Sequence, residues 1–120
     1  MFSAALEPRI RAAFVSGYLN TFRDSILSLS HCIDNYVPGM LEWCEEHDIA
    51  GLIAPRPLFC ESGVDDPIFP IEASKRAFGE VKKVYDVFGA PEMLGQEIHS
   101  GEHVFSGLQG LPFLARHLQA

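Results

Sequence analysis

The stretch that most restricts how this chain can fold is residues 71–88. There Ser74, Ala77, Phe78, Val81, Val84, Tyr85 and Phe88 recur at helical spacing, while Glu72, Lys75, Arg76, Glu80, Lys82, Lys83 and Asp86 fill much of the opposite face. Gly89 is placed to cap this helix and Pro91 to prevent its continuation. Two short runs that read as strands flank it, Leu58–Gly63 before and Met93–His99 after. A strand, a helix and a strand in that order imply a right-handed crossover between parallel strands. A further apolar run, Ile10–Ser16, is closed by Gly17 and fits a strand buried on both faces. The chain therefore reads as α/β, with about three parallel strands and crossover helices.

The remaining segments are less periodic. Phe2–Leu6 reads as the last turn of a helix, ended at Glu7-Pro8-Arg9 because proline disfavours a helical residue before it, so the chain is expected to start within an element. Residues 18–40 sustain neither helical nor strand periodicity and are punctuated by Asn20, Asp24, Ser28, Ser30, Asn35 and Pro38-Gly39. Their apolar content, including Tyr18, Phe22, Ile26, Leu29 and Tyr36, predicts an ordered, packed loop with a helical turn near Asp24–Leu29. Met40–His47 is expected to be helical, with Asp48 capping a further turn through Leu52 before Pro55 and Pro57 stop it. A last helix is expected from Glu102 or His103 to Leu118, interrupted or late-starting because Gly107, Gly110 and Pro112 fall inside it. With 120 residues, 48% of them hydrophobic, residues 1–120 are expected to form one domain, loop 18–40 included.

A net charge of −7 argues against nucleic acid and against an anionic membrane surface, both of which call for basic patches. No membrane-length apolar run is present. Cys32, Cys44 and Cys60 are odd in number and lack C-x-x-C spacing, so reduced thiols and a cytoplasmic location are the simpler expectation, which a signal lost from the N-terminus would change. Cys32 is expected to be a packed loop thiol and Cys60 a buried strand residue. His31, Cys32, Cys44 and His47 carry zinc-ligating atoms, but nothing in their spacing compels a metal site, and no cofactor is implied.

The chemistry sits at two turns. Gly63-Val64-Asp65-Asp66-Pro67-Ile68-Phe69-Pro70 follows the second strand, and Gly101-Glu102-His103 follows the third. Parallel sheets place their chemistry at these C-terminal strand ends. A histidine acting as general base needs a partner that fixes its tautomer and stabilises the imidazolium, and a carboxylate does both. Asp66 and His103 are thus the candidate acid and base, with Asp65 the competing acid, expected to be solvated.

Leu6–Ala13 and Val15–Phe22 resemble the stretch just downstream of the nucleophile elbow in α/β hydrolases. The closer likeness is to the acetyl xylan esterase-like and dienelactone hydrolase-like branch, supported by His31–Gly39, Asp48–Pro57 and Gly101–Gly107. The resemblance implies the C-terminal half of an α/β-hydrolase fold, with Asp66 as triad acid and His103 as triad base. It also implies a substrate-lining loop around His31 to Tyr36 and a small ester as substrate of the complete enzyme. The G-x-S-x-G string that carries the serine in such enzymes does not occur, and Cys32 lies outside that position. The expectation is therefore a C-terminal fragment of a serine-dependent carboxylic ester hydrolase, inactive alone. The alternative is a non-catalytic assembly module that pairs through an exposed sheet edge, with a missing N-terminal half or with a second copy.

Overall fold

The computed structural model describes residues 1–119. Its sheet is parallel, with strands β1 (Ala13–Ser16), β2 (Leu58–Gly63) and β3 (Leu94–His99) in the order β1-β2-β3. Helices α1 (Phe2–Leu6), α2 (Glu46–Gly51), α3 (Ile71–Val87) and α4 (Gly110–Leu118) complete the frame. Every residue of β2 is buried, as a central strand paired on both edges and covered on both faces must be.

Alternation along β2 divides the core in two. Leu58 and Cys60, with Val15 of β1, pack against Ala4 of α1, Ala50 of α2, and Ala77, Val81 and Tyr85 of α3. Phe59 points the other way, with ring centroids 5.5 Å from Phe14 and 5.2 Å from Phe113 of α4. Gly95 stands opposite Phe59 in the register, where a Cβ would collide with that ring. The phenylalanine thus takes the space its neighbour leaves.

β1 is shorter than the run Ile10–Ser16 and is only partly buried, being paired with β2 alone among the described residues. The segment before β2 holds Pro55 and Pro57, which have no N–H to give, and the Ile10 carbonyl accepts from the Arg56 guanidinium at 2.8 Å. Arg56 also donates to the carbonyls of Ala4 at 2.7 Å and Glu7 at 3.1 Å, so one side chain closes the end of α1 and the turn into β1. Replacing it by methionine keeps the packing stem and strands three carbonyls. Arg56→Met is expected to lower unfolding stability by about 2 kcal/mol, read from urea denaturation.

The helix expected over Met40–His47 is instead a 3-10 turn at Met40–Glu42 followed by α2. The cap is Glu45 rather than Asp48: Asp48 Oδ2 accepts the Glu45 amide at 2.8 Å from the third helical position, while the Glu45 carboxylate receives the Glu46 amide at 3.1 Å. The same carboxylate accepts the Phe22 amide at 2.7 Å, binding the long loop to α2. Within that loop the expected turn near Asp24–Leu29 lies at Phe22–Ile26 as a π-type turn capped by Thr21, and it buries Phe22 and Ile26. α4 starts at Gly110, not at residue 102 or 103, because the amides before it are held by carboxylates of the sheet. No helix among the described residues is long and apolar enough to cross a membrane.

Candidate active site

Beyond their last residues β2 and β3 stay joined. The Val64 amide donates to His99 O at 3.0 Å and the Asp65 amide to Gly101 O at 2.9 Å, so the acid turn and the histidine loop leave the sheet side by side. At Gly63 a Cβ would run into the main-chain carbonyls of Gly101 and Glu102, so the loop crosses directly over the end of β2. It delivers the His103 ring to Gly17 at the end of β1. There the backbone has φ +73°, and a Cβ would come within 2.8 Å of His103 Cε1. Glycine supplies both the left-handed conformation and the space.

The turn Asp65-Asp66-Pro67 points its two acids apart. Asp65 is exposed, whereas the Asp66 side chain is 1% exposed. Asp66 Oδ1 accepts the amides of Ile68 at 3.0 Å and Phe69 at 2.9 Å, a local Asx arrangement that fixes the carboxylate from its own turn. Its Oδ2 lies 2.7 Å from His103 Nδ1. With the carboxylate as acceptor the proton belongs to Nδ1, which leaves Nε2 of a neutral ring as a free acceptor. The imidazole stacks on buried Phe69 at 5.3 Å and 20°, and its side chain remains 46% exposed. A carboxylate out of water thus orients a ring whose other nitrogen can reach solvent or a substrate. Among the described residues no serine, threonine or cysteine side chain hydrogen-bonds that ring.

Phe69 links this pair to a cleft of about 530 Å³ lined by Tyr18, Ser30, His31, Cys32, Asn35, Ile68 and Phe69. His31 stands edge-on to Phe69 at 5.1 Å. The single proton of Ser25 goes to Ile68 O at 2.6 Å, so the 3.0 Å contact between Ser25 Oγ and His31 Nε2 has the imidazole as donor. Tyr18 donates to Asn35 Oδ1 at 2.8 Å, and burial, followed by the negative charges of Glu46 and Asp34, pushes its hydroxyl up to about 12. It therefore stays neutral at physiological pH. Cys32, expected to be packed, is exposed because it sits at the open side of this cleft. Cys60 is buried in β2, and burial pushes its thiol up to about 12, so it carries no reactive thiolate.

His31, Cys32, Cys44 and His47 do not assemble: among the described residues no three His, Cys, Asp or Glu side chains come together as a metal site. The sequence reading passed over Gly17 and Phe69, which seat the imidazole, and Glu61 and Glu97, buried carboxylates within strands. A charged residue inside an apolar strand run, as in Leu58-Phe59-Cys60-Glu61-Ser62-Gly63, is the signal that could have found the last two.

No protein-family model matches the chain, and no curated protein matches it. Solved structures do. A carbohydrate esterase family 15 glucuronoyl esterase from Caldicellulosiruptor kristjansonii superposes with TM-score 0.74 at 19% identity, over 98% of this chain and 39% of that one. A glucuronoyl esterase of the same family from Teredinibacter turnerae T7901 gives TM-score 0.71 at 16% identity, over 97% of this chain and 37% of that one. The protein TT1662 from Thermus thermophilus gives 0.64 at 22% identity, over 98% and 49%. The fold is thus α/β, three parallel strands with helices, similar to part of these structures, and this chain spans between 37% and 49% of the length of the three.

Proposed function

We propose that this chain supplies the acid, Asp66, and the general base, His103, of a serine-dependent carboxylic ester hydrolase whose nucleophile and oxyanion-hole amides come from residues outside it. The observation that carries this reading is the 2.7 Å contact between His103 Nδ1 and a buried Asp66 carboxylate at the C-terminal edge of the sheet. In such a reaction His103 Nε2 takes the proton of the attacking hydroxyl. Asp66 holds the ring and stabilises the imidazolium, and the same nitrogen returns the proton to the leaving alcohol. The cleft beside Phe69, with the His31 to Tyr36 loop on its wall, would take part of a small ester. The likeness to the acetyl xylan esterase-like and dienelactone hydrolase-like branch and the esterases among the structural neighbours support the assignment. The open side of β1 is where the missing N-terminal half of the sheet would pair.

The test compares two proteins. The chain alone is expected to show no turnover of p-nitrophenyl acetate that depends on His103. The reading frame extended upstream, if it supplies a G-x-S-x-G turn, is expected to hydrolyse that ester. In the extended protein His103→Ala should lower kcat about 10³-fold or more and Asp66→Asn by about 10²-fold or more. Unchanged turnover in either variant, or His103-dependent turnover by the isolated chain, would overturn the proposal.

A further inference from the structure

Glu61 of β2 and Glu97 of β3 are direct register partners, 1% and 4% exposed, and they point to the same face of the sheet. Among the described residues neither forms an ion pair with a cation. Glu61 Oε1 accepts the Ser16 hydroxyl at 2.7 Å and the Ser106 amide at 2.9 Å, and its Oε2 accepts the Gly107 amide at 2.8 Å. Glu97 Oε1 accepts the Ser106 hydroxyl and its Oε2 the Gln109 amide, each at 2.9 Å. Two like charges on neighbouring strands are costly to bury, and amide and hydroxyl donors are what offset that cost. All but one of those donors belong to residues 106–109, just past His103.

The loop between β3 and α4 is therefore fastened twice. At its start the main chain is laddered to the acid turn through His99 and Gly101, and at its end it is held by the two carboxylates. His103 lies between the fastenings, carried over Gly63 to Gly17. We propose that Glu61 and Glu97 are the positioning pair for the His103 imidazole. By fixing residues 106–109 against the sheet they hold the loop at the height from which Nδ1 meets Asp66. They touch no reacting atom and act through the amides of residues 106–109 and the Ser106 hydroxyl. The inference rests on the reading of His103 as the general base, but its test reads the imidazole and not ester turnover.

The test follows the Nδ1 proton of His103 by NMR in isotope-labelled protein. In Glu61→Gln and Glu97→Gln an amide group replaces one acceptor oxygen facing these donors, and solvent exchange of the Nδ1 proton is expected to rise at least tenfold, or its resonance to vanish. Backbone signals of β2 and α3 should persist. Ser106→Ala, which removes only the hydroxyl donated to Glu97, is expected to speed exchange several-fold, and it decides the matter if the glutamine variants do not fold. Ser16→Ala, which takes a donor from Glu61 without touching the loop, should leave the resonance in place. An unchanged Nδ1 proton in folded Glu61→Gln and Glu97→Gln, or in Ser106→Ala where those do not fold, would overturn the positioning role. Failure of the extended protein to hydrolyse esters would instead overturn the hydrolase reading.

Discussion

Gly63→Ala is expected to part His103 from Asp66 and to lower stability by about 3 kcal/mol. The added methyl would occupy space filled by the carbonyls of Gly101 and Glu102, which are main chain and cannot rotate aside. Relief requires lifting the whole loop off the end of β2, and with it the Asp65 amide to Gly101 carbonyl bond and the seat of His103 against Gly17. The expected signature is a fall in the urea midpoint together with loss of the Nδ1–Oδ2 contact. Gly79→Ala is the internal control: a Cβ there meets nothing within 4 Å, and in the interior of α3 the same change should stabilise by about 0.5–1 kcal/mol. If both substitutions move stability in the same direction, the crowding at Gly63 is not what holds the loop down.

Stability is also expected to fall as pH rises, and the residue responsible is Glu46. Its side chain is wholly buried at the start of α2, with Oε2 accepting the Asn20 amide at 2.8 Å and Oε1 without a hydrogen-bond partner among the described residues. Burial is the main cause that pushes its carboxyl up to about 8. The Asn20 amide opposes the shift and the Glu45 charge adds to it. The folded chain therefore keeps a proton that the unfolded chain releases. The group's contribution is fully present below the ordinary carboxylate range, is lost as pH rises toward about 8, and changes little above that. The loss is on the order of 3 kcal/mol. Glu46→Gln, which mimics the protonated acid, should match the parent near pH 5 and exceed its stability by that amount near pH 8.5. Urea unfolding at the two pH values checks this, and a variant whose stability tracks the parent at both would refute it.

What could be read in advance follows the range of the forces involved. α3 was legible almost to the residue because its periodicity is local and long, and β2 because an apolar run meets a glycine and an acid turn. The selection of Asp66 over Asp65 is also local, since Pro67 follows it and the next two amides fold back onto its carboxylate. The starts of α2 and α4 were not legible. Glu45 takes an amide from Phe22, and Glu61 takes amides from Ser106 and Gly107, across distances in sequence that no periodicity reports. β1 came out shorter because its neighbour segment is proline-flanked, a property of a distant stretch. The turns that carry Asp66 and His103 were legible as the C-terminal ends of β2 and β3. The seat that brings them together, Gly17 and Phe69, appears only when three loops are packed.

Carboxylates that clasp main-chain amides have one more consequence. An amide proton is offered by any amino acid except proline, so at positions 22, 68, 107 and 109 the fastening does not depend on which side chain is present. A mutational scan should find those sites permissive to most replacements at the level of loop anchorage and closed to proline. The four acids Glu45, Asp66, Glu61 and Glu97 should tolerate little. The rim can therefore change its chemical face while its scaffold stays put.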